Sequence, residues 1–143
     1  MNARRVNRPA LIALLTLATV GSFSAHSAAS RPACDPTGRV MNSLFNRPAG
    51  AKRVCSGRKY IAYAAEIQQY YALGVRFEIW TATEGQAART FDQTLKVKLR
   101  QFGYLASEAL TNGDVKYNHA QGRGVRISRW TEGNSRYWML FLY

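Results

Sequence analysis

The stretch RYWMLFLY, residues 136–143, decides the fold of this chain. Every residue after Arg136 is large and apolar or aromatic. It reads as a membrane strand, a buried strand or a surface for a partner. Tyr137, Met139, Phe141 and Tyr143 alternate as the last strand of an outer-membrane barrel does. A spanning barrel, however, needs at least about eight strands of roughly 9–11 residues, and this chain offers four shorter candidates. A strand apolar on both sides belongs inside a sheet or between two covered faces. The segment is therefore expected to be a buried strand.

Working upstream, VKYNHA (115–120) and VRISRWT (125–131) are short alternating runs. QGRG and EGNS separate them and the final run, at lengths that suit hairpins. In EGQAARTFDQTLKVKLRQFGYLASEAL (84–110), Phe91, Leu95, Leu99 and Phe102 recur at helical spacing, with Ala88 and Ala106 extending the stripe. Gly103 either ends that helix or weakens its last turns. Arg89, Lys96 and Arg100 share another side, the pattern of a solvated helix face. VRFEIWTAT (75–83) alternates as a strand. SGRKYIAYAAEIQQYYALG (56–74) spaces Tyr60, Ala64, Ile67 and Tyr71 as a helix, with Ser56 as N-cap and Gly74 as terminator.

The expected fold is a two-layer α+β domain over residues 56–143, with two helices on one face of a mostly antiparallel four-stranded sheet in the order α-β-α-β-β-β. Ahead of it, residues 30–55 are irregular, and Cys34 and Cys55 are expected to close them with a disulfide. The spacing fits neither a zinc site nor a redox C-x-x-C pair.

Residues 1–29 have the layout of a secretory signal peptide: Arg4, Arg5 and Arg8, then an apolar run from Ala10 to about Phe23, then small residues. The run is short of the roughly 20 residues that span a bilayer as a helix. Cleavage after Ala29, or after Ala28, would deliver a secreted or periplasmic protein without a transmembrane span. The full chain carries a formal charge of +12; removing three arginines leaves 17 basic against 8 acidic side chains, or +9. Export thus explains little of the basicity. Such a field favours acidic macromolecules or components of the cell envelope.

If both helices cover one face, parity places Val75, Phe77, Ile79, Val125 and Ile127 inside. Outside would stand Arg76, Glu78, Trp80, Arg126, Ser128 and Trp130, beside one row of the last strand, either Tyr137, Met139, Phe141 and Tyr143 or Trp138, Leu140 and Leu142. Aromatic rings interleaved with arginines suit single-stranded nucleic acid or a glycan, because stacking and charge act together. Arg58 and Lys59 form a second candidate: they sit at a helix start, where cations are misplaced unless an anion joins them. The alternatives are an interaction or inhibitor module, or a homodimer through the open sheet face.

A small secreted nuclease is the third reading, with His119 as the weak catalytic candidate beside Glu78 and Arg126. Parity sets His119 on the face opposite Glu78, which argues against it. No nucleophile elbow, metalloprotease helix, P-loop or dinucleotide fingerprint occurs. The residues imply neither cofactor nor metal and favour binding over catalysis.

Overall fold

The computed structural model describes residues 33–143; the expected signal peptide, residues 1–29, lies outside the described residues. The elements run α1 (Val40–Ser43), a single turn whose Met41 and Asn42 are left-handed rather than α-helical, β1 (Lys52–Arg53), α2 (Arg58–Glu66), a 3-10 helix (Gln68–Leu73), β2 (Arg76–Thr83), α3 (Gln86–Gln101), β3 (Tyr104–Ala109), β4 (Val115–His119), β5 (Gly124–Glu132) and β6 (Ser135–Leu142). One antiparallel sheet contains all the strands, in the order β1-β2-β6-β5-β4-β3. The α+β class and the Cys34–Cys55 disulfide are as expected. The expected four strands and two layers are not: the sheet has six strands, and helices pack on both of its faces.

RYWMLFLY explains the third layer. As β6 it lies between β2 and β5, and its alternate residues enter two separate cores. Trp138 and Leu140 pack with Trp80, Ile127 and the α3 stripe of Ala88, Phe91, Leu95 and Leu99. Met139 packs on the other side with Phe77, Ile79 and the stripe Tyr60, Ala64, Ile67 and Tyr71, which runs from α2 through the 3-10 helix. Tyr60 meets Phe77 at 5.4 Å between ring centroids, and Tyr63 meets Phe141 edge-on at 6.4 Å. Each helix thus buries its own apolar stripe.

The expected parity fails for the same reason. Residues directly opposite in an antiparallel pair share a face. Ile127 lies opposite Leu140, and Leu140 opposite Glu78. Val125 and Ile127 therefore share a face with Glu78 and Trp80, not with Phe77 and Ile79. The alternation within each strand was legible; the register across β6 was not.

Two short strands complete the sheet. β3 follows Gly103, whose φ of +80° ends α3 in a left-handed residue; its Tyr104–Ala109 stretch leaves the helical pattern there. β1 pairs only with Trp80 and Thr81. The cap of α2 is Gly57, without a side-chain hydrogen bond, rather than Ser56.

Because β1 is so short, most of the β2 edge is closed by the disulfide-tied segment instead. There Glu78, buried, accepts hydrogen bonds from the amides of Met41 (2.9 Å) and Asn42 (2.5 Å) and from the Trp80 indole (2.8 Å). Arg53 stands 3.8 Å from the same carboxylate. Met41, Asn42 and Ser43 all have positive φ, a left-handed turn that costs non-glycine residues about 1–2 kcal/mol each. That turn aims two consecutive amides at one buried carboxylate, and the charge-assisted bonds offset the strain. In the same segment the Thr37 hydroxyl and amide, which donate to Asp35, hold its carboxyl below the usual carboxylate range.

Candidate binding face

The site residues expected from sequence separate into three groups. Lys59, Arg126 and Trp130 lie together on the α2 side of the sheet, with Arg58 lining the same cleft as Lys59 and Trp130. Arg76 is apart: its guanidinium donates to the carbonyls of Tyr71 (2.9 Å) and Val75 (2.8 Å) and lies 5.5 Å from the Tyr71 ring. Trp80 is fully buried on the α3 side, its ring 5.9 Å from Phe91. Trp80 and Trp130 thus occupy opposite faces, and the common outer face expected for them does not exist.

The nuclease constellation is not assembled. His119 shares the α3 side with Glu78, contrary to the parity expectation, but β5 and β6 lie between their strands. Its ring packs 5.1 Å from Tyr104, and Nδ1 accepts a hydrogen bond from the Gln121 amide. Arg126 is on the other face, in register with Phe141.

What the fold builds instead is an open half-face. The α2 segment packs over β2 and β6, so the α2-side face of β4 and β5 is partly uncovered. β5 presents Gly124, Arg126, Ser128 and Trp130 there; Lys116 and Asn118 of β4 share it. Three cation–ring pairs result. The Lys59 ammonium lies 4.7 Å from the Trp130 ring centroid, and Trp130 stacks parallel on Tyr137 at 5.2 Å. Arg126 lies 5.3 Å from the Phe141 ring, and Lys116 lies 5.9 Å from the Tyr143 ring. At about 3.3 Å per residue, Trp130 and Arg126 are ~13 Å apart along β5, and the Gly124–Tyr143 row lies ~7 Å beyond. The pairs mark out a track of about 20 Å.

The Tyr143 ring lies so close over Gly124 that a Cβ there would stand 2.4 Å from it. Asp114, buried, accepts from Arg126 Nε at 2.8 Å, while the Arg126 side chain stays 44% exposed. Asp114 therefore orients the guanidinium and leaves its outer nitrogens to solvent.

Charge partitioning strengthens the outward field. Glu78, Glu84, Asp92, Asp114 and Glu132 are each ion-paired with Arg53, Arg126, Arg129, Arg136 or Lys59. Among the described residues, Arg58, Arg89, Lys96, Arg100, Lys116 and Arg123 form no such pair. Glu78 and Asp114 are spent inside the fold, while Asp35, Glu66, Glu108 and Glu132 remain at a surface that also carries these unpaired cations.

Sequence reasoning missed Lys116 as a member of this face and left open whether the row of Phe141 and Tyr143 or that of Trp138, Leu140 and Leu142 belongs to it. Their alternation was visible, but only the register Lys116↔Arg126↔Phe141 brings them together. Among the described residues there is no cluster of metal-binding side chains, and no helix is long and apolar enough to cross a membrane. Neither a family model nor a curated protein nor a solved structure matches the chain.

Proposed function

We propose that the protein is an exported binding module for a polyanionic chain, which lies along the β4–β5–β6 half-face. One observation carries this reading: Lys59, Arg126 and Lys116 each stand over an aromatic ring on one open face. The cations meet phosphate, sulfate or carboxylate, and the 44% exposed Tyr143 ring offers apolar area to a base or sugar beside them. The amino-terminal segment, with its arginines and apolar run, supports a secreted or periplasmic location, where acidic envelope components are available. Binding without turnover fits the dispersal of Glu78, His119 and Arg126.

The test is titration of the protein with two probes, an oligothymidylate and dextran sulfate, across a range of salt. Binding should weaken steeply as salt rises, and each of Lys59→Ala, Arg126→Ala and Lys116→Ala should reduce the log–log salt slope by about 0.7–0.9. Preference for oligothymidylate at equal charge identifies base stacking, and preference for dextran sulfate identifies an acidic glycan as the source. Salt-independent affinity, or none, overturns the reading.

A second reading has its own observation. Leu105 and Tyr143, 66% and 44% exposed, stand at the two ends of one cross-strand row of the same half-face, with Asn118 and Gly124 between them. A second copy of the chain would bury both. Sedimentation equilibrium separates the two readings: a dimer lost on Leu105→Lys, with no polyanion affinity, supports self-association.

A further inference from the structure

At one end of the track, the binding cation already has an occupant. Lys59 is ion-paired with Glu132, and the same ammonium stands over the Trp130 ring. The two charged side chains are 51% and 50% exposed, and with Arg58, Trp130 and Tyr137 they line a cleft of about 310 Å³. The Trp130 Nε1 is buried there without a hydrogen-bond partner among the described residues. Arg126, by contrast, is held from beneath by buried Asp114, and its outer nitrogens remain accessible. Of these two ion pairs, only Lys59–Glu132 is made between side chains that are both at the surface.

We propose that Glu132 is a built-in competitor for Lys59. In the unliganded protein it holds the ammonium over Trp130; a sulfate or phosphate of the incoming chain takes its place, and Glu132 thereby sets the charge density a ligand needs. The inference rests on the polyanion reading of the face. The magnitudes suit such a device. An exposed ion pair contributes roughly 0.2–1 kcal/mol, enough to disfavour an isolated dilute anion. A chain with many closely spaced anions, held at the same time by Arg126 and Lys116, presents a high local concentration of competitors and displaces the carboxylate.

The test measures dextran sulfate affinity of the unaltered protein, Glu132→Gln, Lys59→Ala and the double variant at low salt. Glu132→Gln should bind about two- to fivefold tighter, the equivalent of one exposed pair, with a steeper salt dependence. In the Lys59→Ala background the same change should bring no further gain, because the competition acts only through Lys59. Trp80 and Trp138 are buried in the α3-side core, so a ligand-induced change in tryptophan emission should report Trp130 and vanish in Trp130→Phe. Equal affinity of Glu132→Gln and the unaltered protein overturns the competitor role, as does tightening that persists without Lys59. Failure of the unaltered protein to bind dextran sulfate instead overturns the reading of the whole face.

Discussion

Glu78 illustrates how one residue organises the backbone around it. Its carboxylate is the acceptor for two consecutive left-handed amides and a buried indole. Glu78→Ala leaves those donors buried and unpaired, each at a cost of roughly 1–3 kcal/mol. The expected loss is about 3–5 kcal/mol, read as a lower urea midpoint. At Ser43, φ is +74° and the side chain is exposed. Ser43→Gly should stabilise by up to ~1 kcal/mol, because glycine adopts that region without a Cβ penalty. Ser43→Val should destabilise, a β-branched residue being a true outlier there. Equal thermal midpoints for the two variants would show that the turn stores no strain. Little of this was legible in the sequence: Asn42 tolerates a left-handed conformation, but a turn that also takes Met41 and Ser43 there is held by a carboxylate 36 residues further along.

Among the elements, those with an uninterrupted period were legible. The α3 stripe of Phe91, Leu95 and Leu99 is buried where helical spacing placed it, and the Tyr60–Tyr71 stripe holds although the helix tightens to 3-10 on the way. β1 has two residues, too few to show any period. β3 was not legible as a strand, because Ala106 continues the α3 pattern beyond Gly103, and Gly103 left open only whether the helix ends there or weakens. The irregular segment is held by the Cys34–Cys55 bond, across a sequence separation of 21 residues. Closing a loop of that size contributes about 3 kcal/mol by loop entropy. Cys34→Ser/Cys55→Ser should lose about that much in denaturant unfolding. It should also loosen the left-handed turn, seen as faster amide exchange at Met41 and Asn42 than at α3. If exchange at the turn stays as slow as in α3, Glu78 alone holds the segment.

Over the whole molecule, the sheet divides two kinds of basic surface, and this division separates a binding site from a merely basic protein. Lys59, Arg126 and Lys116 lie on the α2 side with aromatic rings beneath them. Arg89, Lys96 and Arg100 are exposed on α3, which packs against the opposite face, and among the described residues no aromatic ring lies beneath them. The candidate site was partly legible: Lys59, Arg126 and Trp130 were identifiable from residue type. Trp80 was misplaced because facing depends on pairing across β6. Substituting either trio with alanine removes the same formal charge. If the net field alone attracts polyanions, both triple variants should weaken oligothymidylate binding equally, since long-range attraction depends on total charge. If the half-face is the site, the Lys59/Arg126/Lys116 variant should lose at least tenfold more affinity than the Arg89/Lys96/Arg100 variant at equal salt, because it also loses short-range charge-assisted contacts. Equal losses would reduce the three cation–ring pairs to surface packing and leave only the charge of the chain to explain its affinity.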